Sequence, residues 1–374
     1  MDFSYSEEQQ MLQDSISKFV AQDYDFDTRK KIIQTPEGFS TENWKLFADL
    51  GWLMVPFGEA DGGLGGSATD LMVVMEELGK GIVVEPYLAC VVMAGGLVAE
   101  LGSEQQKQEI LGPVMAGERQ LAFAFAEAQG RYNLADVGVR AQQQGDDWIV
   151  DGHKAVVLNG EAAEQLVVSV RTAGDRTDAA GISLLVIDAG APGVTRKGYQ
   201  TVDGQRAAEV TFDRVTVPAG AVLGPVDQAL PAIEKVIDRA TLAVCAEAVG
   251  AMEVTYKKTV EYTKTRKQFG VPLAKFQALQ HRMAEMFMEY ELARSMLLMA
   301  AMQLDASDGL APKAVSAAKN RIGKAARLIG QEAVQLHGGI GVTEELDIGH
   351  YFKRLTTIQF IFGSGDYHLQ RYQQ

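Results

Sequence analysis

The sequence predicts three consecutive domains: helical, then β, then helical again. Two switches of hydrophobic period carry that prediction. Apolar residues recur every three to four positions over residues 6–117, alternate with polar ones over 121–224, and resume helical spacing from Leu230 to the end of the 374-residue chain. The strands of the middle stretch follow one another with no helical segment between them, which favours antiparallel pairing in a small β-domain. Domain limits of 1–118, 119–228 and 229–374 follow from the two switches.

Ser6 is placed to cap a first helix, with Glu7 and Glu8 in the first turn, where the helix dipole favours acids. Trp44, Phe47 and Ala48 share one face of a second helix that stops at Gly51. The glycine-dense loop Asp61-Gly-Gly-Leu-Gly-Gly-Ser67 precedes a helix carrying Leu71, Val74, Met75 and Leu78. In the middle stretch, Leu121-Ala-Phe-Ala-Phe125, Trp148-Ile-Val150 and Gln165-Leu-Val-Val-Ser-Val170 read as strands, as do Ile182-Ser-Leu-Leu-Val-Ile187 and Ala208-Glu-Val-Thr-Phe212. Gly145-Asp-Asp147 and Asp203-Gly204 supply turns between them. Further on, Leu242, Val249, Met252, Tyr256 and Val260 lie on one long helix that ends at or before Pro272. A second long helix carries Met283, Phe287, Tyr290 and Leu298, and a third runs from about Ala311 to Leu336.

Composition removes several function classes. Forty-nine acidic residues against 35 Lys and Arg give a net charge of −14, the wrong sign for sequence-independent nucleic-acid binding. Cys90 and Cys245 are too few for a disulfide framework or a zinc cluster, and the five histidines show no metal-ligand spacing. The N-terminal residues lack the basic and apolar regions of a secretory leader. The most apolar stretch, 81–101, is interrupted by Glu85 and Pro86 and is too short to span a bilayer. A cytoplasmic protein with no membrane or nucleic-acid partner is the expectation.

Three constellations have chemical potential, each beside a plainer reading. Gln335-Leu-His-Gly-Gly-Ile-Gly341 ends a helix in glycines that let another backbone, or a pyrophosphate, approach closely. The loop at 61–67 fits neither dinucleotide nor P-loop spacing and reads as a tight surface loop. In Arg266-Lys-Gln-Phe-Gly270, an arginine and an aromatic three residues apart share a face at a helix end. A guanidinium suits a pyrophosphate and a ring can stack on an adenine; the plainer reading is an arginine complementing the helix dipole. Asp238-Arg239, at the start of the long helix, offers either a general base or an ordinary helix-start acid. The methionines 283, 286, 288, 296, 299 and 302 read as adaptable core packing, and Cys245 as an inert helix residue.

The motifs in order resemble the acyl-CoA dehydrogenase family along essentially the whole chain. Leu50-Gly-Trp-Leu-Met-Val-Pro56 with Asp61-Gly-Gly-Leu-Gly65, Met75-Glu-Glu-Leu-Gly79 and Leu101-Gly-Ser-Glu-Gln-Gln-Lys107 match its first domain. Asp151-Gly-His-Lys154 and Phe212-Asp-Arg-Val-Thr-Val-Pro218 match its second, and Arg266-Lys-Gln-Phe-Gly270 and Gln335-Leu-His-Gly-Gly-Ile-Gly341 its third. Stretches such as Arg266-Lys-Gln-Phe-Gly-Val-Pro272 and His350-Tyr-Phe-Lys-Arg354 look most like the small subunit of pimeloyl-CoA dehydrogenases. The resemblance implies an N-terminal α-helical domain, a middle β-domain and a C-terminal four-helix bundle. It also implies FAD, an acyl-CoA substrate desaturated between Cα and Cβ, and an electron-transferring flavoprotein as acceptor. In that chemistry a carboxylate removes the Cα proton while hydride leaves Cβ for the flavin.

The chain departs from the family pattern at the catalytic positions. Aligning on Leu369-Gln-Arg371 puts Ser364, within Gly363-Ser-Gly-Asp366, where the family's usual glutamate base stands. The resemblance offers Asp238 as the alternative base, as in members that carry it before an arginine on the long helix, with Asp366 in reserve. The flavin-facing strand is altered too. Ala126-Glu-Ala128 replaces Thr-Glu-Pro, Val156 replaces an aromatic shield, and Leu158 replaces the hydroxyl residue that usually faces the flavin N5.

Elements that the family contributes to a neighbouring subunit's flavin are kept: Arg266, Phe269, Gln335, Gly338, Gly339 and Gly341. That pattern implies one subunit of a heterotetramer completed by a second acyl-CoA dehydrogenase chain. A self-oligomer with Asp238 as base and a non-catalytic, CoA-binding scaffold are the alternatives. Arg131 is either a surface arginine or a partner for a substrate's distal carboxylate.

Overall fold

The computed structural model describes residues 5–306 and 309–374. Residues 1–4, which open the stretch read as lacking a leader, lie outside the described residues. Helices α1 (Glu7–Gln22), α2 (Phe26–Ile32), α3 (Thr41–Asp49), α4 (Ala68–Lys80), α5 (Gly96–Leu101) and α6 (Glu104–Met115) come first. Strands β1 (Leu121–Ala124), β2 (Arg140–Gln144), β3 (Asp147–Leu158) and β4 (Gln165–Arg171) follow. Then come β5 (Ile182–Asp188), β6 (Val194–Gln200), β7 (Arg206–Pro218) and β8 (Val222–Leu223). Helix α7 (Leu230–Thr265) leads to a small hairpin, β9 (Lys267–Gln268) and β10 (Val271–Pro272). The chain closes with α8 (Gln277–Ala306), α9 (Ala311–His337), α10 (Asp347–Ile358) and α11 (Gly365–Gln373). No helix among the described residues is long and apolar enough to cross a membrane.

Contacts divide the chain into two compact units, with one division falling inside α7. The first comprises residues 1–31, 67–83 and 241–374 and is helical. Ser6 caps α1 with a full capping box, as its sequence predicts. Helix α9 packs on α8, α10 and α11. Its core face, Ile322, Ala325, Ala326 and Ile329, is buried at the spacing of one helix face. Helices α4 and α7 cross backbone to backbone. A Cβ on Gly79 would sit 2.2 Å from the Glu247 carbonyl oxygen, and one on Gly250 only 1.9 Å from that of Glu76. Each interior glycine costs its helix about 1 kcal/mol against alanine, so the close crossing is what requires both. Arg354 of α10 is buried and forks onto Glu247 of α7, at 2.5 and 2.6 Å.

The methionines of α8 only partly fit the core reading. Met286 is buried, whereas Met288 and Met299, with Phe287 and Leu292, are exposed large hydrophobics. Cys245 is fully buried, and burial pushes its thiol up to about 12, as an inert residue requires.

The second unit, residues 32–66 and 84–240, holds the β-sheet. Its eight strands run in the order β6-β7-β3-β2-β4-β5-β8, with β1 also on β4. The expected strands are all present, and the turns at 145–146 and 203–204 join β2 to β3 and β6 to β7. The expectation of an antiparallel domain needs correction: β1 and β2 both pair parallel to β4, β1 along its first half and β2 at its end. Strands β2 and β6 carry no strand signal in the sequence, because their residues, Arg-Ala-Gln-Gln-Gln and Val-Thr-Arg-Lys-Gly-Tyr-Gln, are mostly outside the core and so show no apolar alternation. The core under the sheet is Val150, Leu166, Val168, Leu185, Val210 and Phe212 with their neighbours. In the 61–67 loop, a Cβ on Gly63 would strike the Phe57 carbonyl oxygen at 2.2 Å, so tight chain packing accounts for that glycine.

Candidate functional site

The end of α7 shapes the first cluster. The helix stops at Thr265, and Arg266 and Phe269 belong to the β9–β10 hairpin rather than to one helix face, which corrects the sequence reading. Strand register pairs Val271 with Gln268, so Phe269 and Gly270 form a two-residue turn. Both have positive φ, 53° and 81°, as a primed hairpin turn demands. Glycine adopts that backbone freely; for phenylalanine it costs about 1–3 kcal/mol. The Phe269 ring is nonetheless 90% exposed, touched edge-on by Phe276 at 6.1 Å. Arg266 is exposed at the base of the hairpin, its backbone held by Tyr262 and Leu273.

The end of α9 lies beside it. Tyr262, whose carbonyl accepts the Arg266 N–H at 2.8 Å, stacks on His337 at 4.3 Å. His337 bonds the Ala333 carbonyl at 2.8 Å, and burial holds its pKa below the usual histidine value. The Arg266–Phe269 hairpin and the Gln335–Gly341 turn are thereby tied to one end of the helical unit. Gln335, Gly338 and Gly339 are exposed. Gly338 has φ 68°, and a Cβ on either Gly338 or Gly339 would meet nothing within 4 Å. Gly341 differs, since a Cβ there would come within 2.8 Å of the Val334 carbonyl oxygen. A cavity of about 440 Å³ adjoins this end, lined in part by Lys258, Tyr262, His337 and Asp347.

Ala126 lies in the other unit, just beyond β1, with its carbonyl accepting the Ala155 N–H at 2.8 Å. Strand β3 shifts register between Lys154 and Val157. Val156 sits in that irregularity with φ 50° and its side chain half exposed, an unusual backbone for a β-branched residue. Beneath lies a network that the sequence did not disclose. Glu127 accepts from Lys154 at 2.7 Å and from the N–H groups of Gly138 and Val139. Lys154 also reaches Ser169 at 3.0 Å. Burial pushes Lys154 down to about 8 against the pull of Glu127. Burial opposes ionisation of Glu127, but Lys154 and the hydrogen bonds outweigh it and keep the carboxyl below its ordinary value. The network plugs the edge of β4 between β1 and β2. Arg131 is exposed in the loop after β1, with φ 49°.

The candidate bases fall in different settings. Asp238 is buried and stands two turns inside α7, which begins at Leu230, so it is not a helix-start acid. Pro231, in the first turn, was the available signal for the true start. Asp366 is exposed in the first turn of α11, an ordinary place for an acid. Ser364 is the N-cap of α11, its hydroxyl accepting the Tyr367 N–H at 3.3 Å. The turn ahead of it is held from below. Lys319 donates to the carbonyls of Gln359 and Gly363 at 3.1 and 2.8 Å, and Asn320 to that of Gly365 at 2.6 Å. Burial lowers Lys319 to about 8; burial, with Lys319 and Arg371 nearby, takes His368 to about 3, so that imidazole is neutral. A lone lysine on the Val315–Ala318–Ile322 face of α9 was the sequence signal for this clamp.

Family models match nearly the whole chain. The acyl-CoA dehydrogenase N-terminal domain matches residues 6–118, the middle domain 122–215 and the C-terminal domain 230–374. A short-chain specific acyl-CoA dehydrogenase of Clostridium acetobutylicum is 30% identical over 93% of this chain and 92% of its own. Among solved structures, the Tcur3481–Tcur3483 steroid ACAD is 31% identical with a TM-score of 0.87, covering 98% of this chain and 97% of that one. The ChsE4–ChsE5 complex of Mycobacterium tuberculosis is 26% identical with a TM-score of 0.89, covering 99% and 97%.

Proposed function

The chain belongs to the acyl-CoA dehydrogenase family, and from that membership we propose that it is one subunit of a two-chain, FAD-dependent acyl-CoA dehydrogenase. Bound FAD accepts the hydride from the acyl Cβ in this reaction. The proposed domains are helical over 1–118 and 229–374, with the β-domain over 119–228. Ser364 is the observation that carries the two-chain reading, since it caps α11 where the family's usual glutamate base would stand. Phe269, whose strained backbone holds a ring 90% exposed, marks a surface that another subunit of either kind would cover.

Arg266 would neutralise a pyrophosphate, Phe269 would stack and exclude water, and Gln335 with Gly338, Gly339 and Gly341 would admit a close backbone contact. These residues fit the adenosine-pyrophosphate half of a flavin held mainly by a neighbour. Ala126 and the β3 irregularity fit the chain's own flavin less well, because Val156 offers no aromatic face. Ser364 caps a helix and supplies no carboxylate, so the proton at Cα passes to a glutamate of the second chain. Two-chain names among the solved relatives support this reading. An electron-transferring flavoprotein is the proposed acceptor. The likeness to pimeloyl-CoA dehydrogenase small subunits and to a steroid enzyme favours a bulky or dicarboxylyl acyl group, with Arg131 the candidate for a distal carboxylate.

Burial of Asp238 favours a second reading, a self-sufficient homo-oligomer with that residue as base. The chain expressed alone separates the two by its visible spectrum and native mass. The two-chain proposal expects a flavin-poor species that gains flavin and turnover with a glutamate-bearing homologue. A yellow, active homo-oligomer overturns it. Asp238→Asn should then lower flavin reduction by about 10²–10⁴-fold, the usual worth of a positioned base, with the oxidised spectrum intact.

A further inference from the structure

Within the helical unit, away from the hairpin, lies a cavity of about 750 Å³ that the dehydrogenase reading does not use. One wall is apolar, formed by Met72 of α4 with Leu297, Leu298, Met299 and Met302 of α8. That volume suits a ligand of drug-like size, and flexible thioethers let such a wall adapt to different shapes. At the cavity lies Glu76 of α4, only 5% exposed. Its carboxylate makes no hydrogen bond among the described residues. A buried carboxylate left without a donor is costly, and burial accordingly raises its pKa to about 7.

Charges around Glu76 decide the sign of what it would take. Glu77 and Lys80 share its helix, Glu253 faces it from α7, and Tyr290, Glu291 and Arg294 face it from α8. Tyr5 approaches from the segment before α1. Lys80 is committed to Glu77 at 2.7 Å and Glu253 at 3.3 Å. Four carboxylates therefore face two cations, and the balance favours a positive guest.

We propose that this cavity binds an amphipathic primary amine, its ammonium donating to Glu76 and its hydrocarbon body lying on the methionine and leucine wall. Binding ionises Glu76, so affinity rises with pH until that carboxyl is already charged, and a proton is released to buffer below that point. None of the residues assigned to flavin binding lines this cavity.

Isothermal titration of the full chain with n-octylamine, octanoate and octanol tests the assignment. Octylamine should bind and tighten from pH 6 to pH 7.5, by at most about tenfold per pH unit. Its heat should also vary with the buffer's ionisation enthalpy at the lower pH. Glu76→Gln should weaken octylamine at least tenfold, and Met302→Trp, which fills the cavity without touching the acid, should do the same. Circular dichroism checks that both variants are folded. The proposal is overturned if octanoate matches octylamine, if Glu76→Gln binds as the parent does, or if the folded parent shows no octylamine binding.

Discussion

Two turns of the helical unit use glycine for opposite ends. At 335–341, Gly339 has neither positive φ nor any neighbour within 4 Å of a built Cβ, so nothing in the described chain calls for its bareness. At 359–365, Gly363 has φ 134°, and a Cβ would lie 2.4 Å from the Tyr367 ring and 2.6 Å from His368 Nε2. One turn is bare toward the outside; the other is packed from within by Lys319, Asn320 and His368. The difference separates a surface shaped for something external from a scaffold holding a helix cap.

The largest effect that sharpens this contrast is Gly363→Ala, expected to lower stability by about 3 kcal/mol through both clash and backbone strain. A urea midpoint unchanged by that substitution breaks the contrast. Second is the pH dependence of the clamp. Because burial holds Lys319 near 8 against an ordinary 10.5, the folded chain binds fewer protons than the unfolded one between those values. The lysine's contribution to stability should therefore rise with pH across that window, opposed above about pH 9 by the buried Cys245 thiol, whose pKa is raised to about 12. Lys154, also near 8, contributes to the same slope, so Lys319→Met should flatten it only in part. Denaturant titrations at pH 7.5 and 10 read the difference.

Third, Phe269→Gly should raise stability by about 1 kcal/mol by relieving the left-handed backbone, yet reduce flavin retention in the assembled enzyme. If both quantities fall together, the ring's role is internal. The smallest effect on stability belongs to Gly339→Ala, within about 0.5 kcal/mol, with flavin retention again reduced.

Legibility in the sequence follows periodicity. Helix α9 was readable to within a residue, because its apolar face recurs over many turns. The hairpin was not, since Arg266 and Phe269 are three apart and imitate a helix face. Gly270 and Pro272 were the turn signals that outweighed that spacing. Asp238 reads from sequence as a helix-start acid, whereas it is buried two turns inside α7. Glu127, Lys154 and Glu76 stayed hidden because their interest comes from burial, which depends on what the rest of the chain packs around them. The candidate site was thus legible in its motifs and illegible in its supporting charges.

The crossing of α4 and α7 has a mechanical consequence. With Gly79 against Glu247 and Gly250 against Glu76, each helix interlocks with the other like meshed teeth, and neither can slide along its axis without driving a carbonyl into a backbone. Axial play in α4 is therefore transmitted to α7 rather than absorbed. Glu76 rides on that gear, so an event in its cavity that shifts α4 would be felt along a helix whose far end abuts the Phe269 hairpin.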